Sequence, residues 1–429
     1  NNKTNLFRLN GSHNSIAWHS KVINKIKKIN EDAFVLLDIP GIKPRTNNKN
    51  NIRVEKDEII SFSESEIISK YRTIPLTKPI PKIDPKLKNF TINDGQFEFE
   101  AFEVSSNYIL GKSKTNFNLL PKKGINFPNS IYLEDKQFEV YRDFIDKIKG
   151  LNICGLGLSF VQSKEIVKKV KNLCKELTLV SKIENIEGYK NRKSIIAESD
   201  AIMIDRGDLA AEIGLENLYV AVKNISMDTK QQGKPLIMAT ENLETMVFRE
   251  TPSKSEVISI ANSIEIGSDC IMLSEETATS ENCLKTIEWL DEFIKKDKVV
   301  RKEYEYINTN KYNEIWDMID NSRNKNFLIM TKSGYALNQI QASKPLSNIF
   351  IVTDNLKLGK TIKLFAKEPI ILYEKIKLKV PIETILKIVK KYKKIIFQKS
   401  KNIVCIYVST YLKEARANCI TILDENDLD

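Results

Sequence analysis

Six short apolar segments, each ending in a polar or charged side chain, constrain the fold of this chain more than any other feature. The segments are Phe7–Asn10, Val35–Asp38, Val180–Glu184, Ala201–Asp208, Leu236–Thr240 and Cys270–Ser274. A parallel strand that is buried on both faces has a continuous apolar sequence. In a βα barrel, the residues just beyond such strands meet at one rim, where active sites lie. The segments therefore predict a parallel barrel with cations, acids and hydroxyls gathered at one mouth.

Helical patterns separate these strands. The segment from Ser163 to Leu177 places its apolar side chains on one face and its lysines on the other, and Ser163 is the expected N-cap. A second helix is predicted after Pro252, and Gly267 is expected to end it. Strands and helices alternate from about 150 to 295, which favours a parallel α/β barrel over an α+β fold.

Two regions interrupt this alternation. The polar, alternating segment Phe97–Glu103 follows a turn signal at Asn93–Gly95, which predicts a small β domain inserted in the barrel. After about 297, apolar strands at 327–331, 349–353, 370–373, 403–408 and 420–423 predict an open-sheet α/β domain. The predicted fold is thus a TIM (β/α)8-type barrel in two parts (1–46 and 122–296), a β lid (47–121) and a C-terminal domain (297–429).

Composition excludes several classes of protein. The 429 residues are too many for one ordinary domain. No apolar run approaches the ~18 residues of a membrane-spanning helix, so no membrane association is expected. The net charge is +11, but the basic residues recur throughout instead of forming a stripe, so no nucleic acid is expected as a partner. With two histidines and six scattered cysteines, a histidine- or cysteine-based metal site is not expected.

Several motifs in register resemble the pyruvate kinase family. They are Ser181–Asn185, Ile202–Leu209, Ala239–Met246 and Cys270–Ala278, which occur in that family's order. Phe7–His13 resembles the family's phosphate and cation loop, and Pro121–Asn126 resembles the hinge that returns from its β lid. The resemblance covers nearly the whole chain. It implies phosphoryl transfer from phosphoenolpyruvate to a nucleoside diphosphate (ADP or GDP), which gives pyruvate and a nucleoside triphosphate as the last step of glycolysis.

The resemblance also implies a divalent metal, Mg²⁺ or Mn²⁺. Glu184 and Asp208 follow two of the apolar strands and offer hard oxygen donors, so they are the expected magnesium ligands. Lys182 lies two residues before Glu184, so both side chains leave the strand on one face. A fixed ammonium there would neutralise the phosphoryl group during transfer.

Further site residues follow from the resemblance alone. Arg8 would contact the transferred phosphate, because a guanidinium suits phosphate oxygens. The amides of Gly207 and Asp208 would hold the substrate carboxylate, and Thr240 would bond that carboxylate or help to deliver a proton to the enolate. Ser274 and Glu276 resemble the family's proton relay.

The nucleotide is expected to contact Asn10, His13, Arg45 and Lys123, the last of these when the lid closes over the site. The family often holds K⁺ near the substrate phosphate, with groups that match Asn10, Ser12, Asp38 and the carbonyl of Ile39. Lys43 lies where most relatives carry a glutamate. An ammonium there is a mobile point charge that would take the place of K⁺, so activity without K⁺ is predicted.

The chain lacks the strand and helix that usually precede the Arg8 strand, so a barrel of seven recognisable strands with an open edge is expected. By resemblance we expect a homotetramer, and the composition is similar to that of the divergent plastid-type isoenzymes of protozoan parasites. A plastid location is therefore expected, with the cytoplasm as the alternative.

Two other functions stay open. An aldolase or decarboxylase that acts on oxaloacetate would share Glu184 and Asp208, but it would not need Lys182, the lid or the C-terminal domain. A non-catalytic paralogue would fit the missing strand, but it would not need to retain Lys182 and the two acids.

Overall fold

The computed structural model describes residues 4–64, 71–93, 95–128, 130–296, 299, 302, 326–338, 348–364, 370–377, 380–398, 400–408 and 419–428. Across these ranges the strands form sheets of seven, six, five and two strands. The seven-stranded sheet builds the barrel, the six- and two-stranded sheets build the lid, and the five-stranded sheet builds the C-terminal domain. Within the same ranges, no helix has both the length and the apolar character that a membrane span requires.

The barrel sheet is entirely parallel. Its strands, in spatial order, are β1 (Leu6–Asn10), β2 (Phe34–Ile39), β11 (Gly155–Leu158), β12 (Thr178–Ile183), β13 (Ala201–Asp205), β14 (Leu236–Ala239) and β15 (Cys270–Ile271). All six predicted segments contribute a strand, so the predicted parallel α/β arrangement is confirmed. In the described part of the chain, β1 and β15 are the edges of the sheet.

Helices cover the outside of this sheet. They are α1 (Ile16–Ile29), α2 (Glu134–Lys147), α3 (Lys164–Leu173), α4 (Ile186–Lys190), α5 (Arg192–Glu198), α6 (Arg206–Ile213), α7 (Leu215–Gln231), α8 (Lys254–Glu265), α9 (Glu275–Ala278) and α10 (Cys283–Lys295). Ser163 caps α3 as predicted, because its hydroxyl accepts from the Ile166 amide. The predicted end at Leu177 is wrong, since Cys174 leaves the helical conformation and ends α3 at Leu173.

The alternation of side chains along each strand decides which residues enter the barrel. On β2, Val35, Leu37 and Ile39 pack outward in one apolar cluster, whereas Phe34 and Leu36 pack in a second cluster inside the barrel. Side chains two residues apart lie on the same face of a strand. The interior face of β2 therefore ends in Asp38. The same alternation sends other polar strand-end side chains to the interior; they are Arg8 after Leu6, Lys182 after Val180, and Asp205 after Ala201 and Met203.

The lid contains β3 (Ile52–Val54), β4 (Ile59–Ser63), β5 (Arg72–Pro75), β6 (Asn89–Ile92), β7 (Phe97–Val104), β8 (Tyr108–Ser113), β9 (Phe117–Leu119) and β10 (Ile125–Asn126). The large sheet has the order β10-β6-β7-β8-β4-β5, and β3 pairs with β9. Phe62, Phe90 and Phe99 pack together with ring centroids 5.2–5.6 Å apart. The predicted strand Phe97–Glu103 is confirmed as β7; of its turn signal, residue 94 lies outside the described residues. The boundaries of the domains stay predictions.

The C-terminal domain contains β16 (Asn326–Met330), β17 (Asn348–Thr353), β18 (Ile370–Tyr373), β19 (Asn402–Tyr407) and β20 (Cys419–Asp424), with α11 (Leu356–Ile362), α12 (Pro381–Lys391) and α13 (Lys393–Ile396). Every end of the five predicted strands lies within one residue of the observed end. Only the β19–β20 pair is antiparallel among the described strands of this sheet. The predicted boundary at 297 lies outside the described residues.

The C-terminal domain touches the barrel at the end opposite the site. Leu364 packs among the interior strand residues of the barrel, and Thr361 Oγ1 lies 2.8 Å from Thr178 Oγ1 at the start of β12. Lys357 pairs with Asp200 at 2.6 Å, just before β13. These contacts lie at the amino-terminal end of the barrel strands. The polar side chains gather at the opposite, carboxyl-terminal end.

Candidate active site

The buried ammonium of Lys182 lies at the centre of the site. It is 2.8 Å from Glu184 Oε2, 3.3 Å from Asp205 Oδ2 and 3.9 Å from Asp38 Oδ2. Burial lowers the pKa of Lys182, but these carboxylates outweigh burial and hold that pKa above its ordinary value. The ammonium is therefore a fixed positive charge within a ring of acids.

Three carboxylates form an acidic cluster that fits a metal ion. Glu184, Asp205 and Asp208 each offer one oxygen, and these oxygens lie within 4.8 Å of one another. Hard oxygen donors in this number are the ligands that Mg²⁺ takes in proteins. The predicted pair Glu184 and Asp208 is thus brought together by the fold. Sequence reasoning missed Asp205, although it ends an apolar strand in the same way as its neighbours.

Glu184 is held in place from β11. The Phe160 amide, just beyond that strand, donates to Glu184 Oε1 at 2.7 Å. Phe160 has a positive φ of 60°, and helix α2 holds its carbonyl through Gln137 Nε2 at 2.6 Å. Burial raises the pKa of Glu184, while the Lys182 ammonium opposes that rise. Phe160 is thus a non-glycine residue in the left-handed conformation, and the surrounding contacts must maintain this strained backbone.

Asp208 lies in the first turn of helix α6, and a second lysine contacts it. The Lys43 ammonium pairs with Asp208 Oδ1 and lies 5.5 Å from the centre of the Phe160 ring. Burial alone would raise the pKa of Asp208, but Lys43 and Lys182 outweigh burial and keep that pKa below its usual range. The carboxylate of Asp208 is therefore ionised and already paired with a cation.

The predicted cation loop is organised around Asp38. Arg8 donates from Nε at 2.9 Å and from Nη2 at 2.6 Å to Asp38 Oδ2. Asp38 Oδ1 is buried and has no hydrogen-bond partner within the described residues. Asn10 Oδ1, at the end of β1, accepts from the Ser12 amide at 3.0 Å, and Ile39 ends β2. A glycine is required beside Asp38, since a Cβ at Gly157 would lie 2.1 Å from Asp38 Oδ1.

Thr240 lies across from Asp205 in an unusual backbone conformation. Its φ is 63° and that of Glu241 is 51°. The Thr240 hydroxyl accepts from the Gly207 amide at 3.1 Å and lies 3.2 Å from Asp205 Oδ1. Arg206, which sequence reasoning did not select, donates to the carbonyl oxygens of Thr240 and Glu241 and fixes this turn. The fold thus brings together Gly207, Asp208 and Thr240, the residues predicted to bind the substrate carboxylate.

Glu276 is buried and links two loops. Its Oε1 accepts from the Leu243 amide at 3.1 Å, and its Oε2 accepts from the Ser274 amide at 2.6 Å. The two oxygens therefore position the loops after β14 and β15. Ser274 lies next to this carboxylate, so the predicted pair is brought together. In this arrangement, however, the Glu276 oxygens bind backbone amides.

The predicted nucleotide contacts surround the mouth. Burial, together with the charges of Arg45 and Arg8, lowers the pKa of His13, which favours the neutral imidazole. Arg45 Nη1 donates to the Lys122 carbonyl at 3.1 Å, and the Lys123 amide donates to Thr46 Oγ1 at 3.1 Å. His13, Arg45 and Lys123 therefore lie on segments that border the site, two of them where the lid joins the barrel.

Comparison with known proteins identifies the family. A sequence profile of the barrel domain of pyruvate kinase matches residues 1–287. The pyruvate kinase of Thermotoga maritima is 30% identical over 319 residues, which cover 72% of this chain and 68% of that protein. The pyruvate kinase of Methanocaldococcus jannaschii is 30% identical over 378 residues, 83% of this chain and 80% of that protein.

The fold is also shared with a solved structure. The crystal structure of pyruvate kinase from Pyrobaculum aerophilum superposes on this structure with a TM-score of 0.77. The superposition covers 98% of this chain and 93% of that chain, and the two sequences are 18% identical. This likeness confirms the predicted fold class. Because the profile matches 287 of the 429 residues and the motif resemblance is confirmed by these relatives, the chain belongs to the pyruvate kinase family of phosphotransferases, and its function is that of the family.

Proposed function

We propose that the chain transfers the phosphoryl group of phosphoenolpyruvate to ADP or another nucleoside diphosphate and then protonates the enolate to give pyruvate. The observation that carries this proposal is the Lys182 ammonium, fixed within 3.9 Å of three carboxylates at the carboxyl end of the strands. Phosphoryl transfer depends on positioning and on neutralising the charge of the group in transit. A preorganised buried cation meets the second requirement.

Activity requires a divalent cation, Mg²⁺ or Mn²⁺, held by Glu184 and Asp208. The chemistry of the donor set supports this, and Asp205 is close enough to serve as a third ligand. When bound, the metal supplies positive charge to the phosphate and enolate oxygens. Glu184 is orientated for this role by the Phe160 amide.

The chain's own groups bind and orient phosphoenolpyruvate. Arg8 contacts the substrate phosphate from its position on Asp38. The Gly207 amide, which donates to Thr240 Oγ1, exchanges that hydroxyl for the substrate carboxylate, together with the Asp208 amide. Thr240 assists proton delivery to the enolate carbon. Ser274 and Glu276 complete the relay, Glu276 by holding the loop that carries Ser274.

The nucleoside diphosphate binds between the barrel mouth and the lid. Asn10 and His13 approach it from the loop after β1, and Arg45 and Lys123 approach it from the two segments that join the lid to the barrel. A neutral His13 offers one N–H donor and one acceptor nitrogen, while Arg45 supplies charge to the phosphates.

The reaction does not need K⁺. The positive charge that a monovalent cation would supply at Asn10, Ser12, Asp38 and Ile39 comes instead from Arg8 and Lys182 at Asp38, and from the Lys43 ammonium when a phosphorylated substrate draws it away from Asp208. The test is turnover in a potassium- and sodium-free buffer with a bulky organic cation. A rise of about tenfold on adding KCl at constant ionic strength would exclude this role. Lys43→Glu should create K⁺ dependence.

The assembly is a homotetramer that works in a plastid. Exposed apolar side chains on the barrel support association; they include Leu215 and Tyr219 on α7, Phe248 after β14, Ile258 on α8 and Leu284 on α10. Light scattering coupled to size exclusion measures the mass of the assembly. Imaging of a tagged full-length protein in its own cell decides between plastid and cytoplasm.

A coupled assay tests the activity directly. Lactate dehydrogenase reports pyruvate formed from phosphoenolpyruvate with ADP or GDP and MgCl₂. We expect turnover with the wild type and a large loss with Asp208→Asn. Pyruvate formation that is unchanged in Asp208→Asn would remove the metal assignment. Release of pyruvate from oxaloacetate alone would instead support the competing enolate chemistry.

A further inference from the structure

Lys43 occupies an enclosed position at the root of the lid. We define the lid root as residues 40–46, which leave the barrel, and residues 121–127, which return to it. The Lys43 side chain is 5% exposed and its ammonium pairs with Asp208 Oδ1. Its stem fills the space beside Gly124, where a Cβ would lie 2.8 Å from Lys43 Cε. The lysine therefore connects the lid root to a residue of the acidic cluster.

The two segments of the lid root are hydrogen-bonded to each other, and the returning segment is paired with the lid sheet. The Thr46 amide donates to the Lys123 carbonyl at 2.8 Å, and the Ile125 amide donates to the Pro44 carbonyl at 3.0 Å. Strand β10, in the returning segment, also pairs with β6 of the lid sheet. A displacement of Lys43 is therefore shared with the lid.

Both segments contact helix α6, which carries Asp208. Lys43 contacts Asp208 from the departing segment, and Asn126 Nδ2 lies 3.4 Å from Glu212 Oε1 from the returning segment. Asp208 and Glu212 are four residues apart, so they lie on the same side of the helix. The lid root thus contacts helix α6 at two points, and the first turn of this helix carries Asp208 of the acidic cluster.

The Asp208 carboxylate can therefore bind either the Lys43 ammonium or the divalent cation. An ammonium bound to a carboxylate oxygen and a divalent cation that uses the same carboxylate as a ligand exclude each other or weaken each other strongly in a buried site. We propose that Lys43 is a built-in competitor of the divalent cation at Asp208, so that metal binding and the position of the lid root are coupled. This inference rests on the proposed function, because it takes Glu184 and Asp208 as the metal ligands.

Coupling of this kind acts in both directions. A metal that takes Asp208 releases Lys43 and loosens the lid root from α6, and a ligand that moves the lid root raises the affinity for metal by the same factor. A phosphorylated substrate offers the Lys43 ammonium another anion, which frees Asp208. Metal and substrate are then expected to strengthen each other's binding.

Mn²⁺ binding tests the proposal without relying on turnover. The free Mn²⁺ signal in electron paramagnetic resonance gives the dissociation constant for the full-length protein without substrate. We expect Lys43→Met and Lys43→Gln to bind Mn²⁺ about tenfold more tightly than the wild type, and Lys43→Arg to keep the wild-type affinity. Lys78→Met is the matched control, because Lys78 contacts the lid root from the lid, where it donates to the Gly41 carbonyl at 2.5 Å and not to a ligand carboxylate. Its Mn²⁺ affinity should not change.

Asp208→Asn separates failure of the inference from failure of the proposed function. If Mn²⁺ affinity of the wild type does not depend on Asp208, the metal assignment fails and the inference fails with it. If it depends on Asp208 but Lys43→Met and Lys43→Gln bind no more tightly than the wild type, only the inference is overturned. Hydrogen exchange of residues 40–46 should quicken with Mn²⁺ in the wild type and be insensitive to Mn²⁺ in Lys43→Met; equal quickening in both proteins would also overturn it.

Discussion

Replacement of Lys182 by methionine removes the buried positive charge at the centre of the site. The ammonium lies 2.8 Å from Glu184 and 3.3 Å from Asp205, so its loss leaves at least two buried carboxylates uncompensated. Breaking a buried ion pair from one side costs about 3–5 kcal/mol. We therefore expect Lys182→Met to lower the free energy of unfolding by about 3 kcal/mol or more in the absence of divalent metal.

The same substitution should damage turnover more than binding. Removing one preorganised charge-stabilising group costs about 10²–10³-fold in kcat. The loss falls mainly on kcat because the charge of the phosphoryl group develops fully only during transfer. An equal increase in KM with an unchanged kcat would assign Lys182 to ground-state binding.

Urea unfolding, followed by tryptophan fluorescence with and without MgCl₂, measures the stability effect. A divalent cation in the acidic cluster replaces the missing charge, so saturating Mg²⁺ should return about 2.7 kcal/mol at one hundred times its dissociation constant. Lys190→Met is the control, because Lys190 pairs with Glu187 at 2.6 Å but is 58% exposed. That variant should lose less than about 1 kcal/mol. Wild-type stability and a kcat within about tenfold of wild type in Lys182→Met would refute the reasoning.

Three further predictions concern stability. Lys230→Met should cost about 3–5 kcal/mol in urea unfolding, because Lys230 and Asp269 form a fully buried ion pair at 2.7 Å; a cost below about 1 kcal/mol would contradict this. Burial raises the pKa of Glu212 to about 8, so the folded state holds a proton that the unfolded state releases near pH 4.5, and stability declines as pH rises between these values. Glu212→Gln should flatten that decline, and its free energy of unfolding should exceed that of the wild type by about 1 kcal/mol at pH 8. If the free energies of unfolding of the two proteins ran parallel with pH, this role of Glu212 would be excluded. Ser253→Ala should cost about 1 kcal/mol through loss of the capping box with Glu256, and an unchanged melting temperature would count against that role.

The barrel strands were predictable because burial on both faces leaves a simple apolar signal. β12, β13 and β14 were found in this way. β11 was not among the six segments, because Gly155 and Gly157 interrupt its apolar character. Gly157 is required by the approach of Asp38, a contact between neighbouring strands that the local sequence does not reveal.

The site was partly predictable for the same reason. Strand ends and the spacing of Lys182 and Glu184 placed these side chains on one face, and the fold brings Asp208 to them. The positive φ of Thr240 and the binding of backbone amides by Glu276 depend on tertiary contacts, so no local sequence pattern predicts them. The pairing of Lys43 with Asp208 joins residues 165 positions apart, so a local sequence pattern does not predict it either.

Phosphorus NMR of the reaction itself tests the central claim most directly. With phosphoenolpyruvate, ADP and MgCl₂, the resonance of the enol phosphate should disappear as the γ-phosphate of ATP appears, with one pyruvate formed for each ATP. Asp208→Asn and Lys182→Met should both suppress this exchange. Inorganic phosphate in place of ATP, or wild-type exchange in Asp208→Asn, would contradict the account.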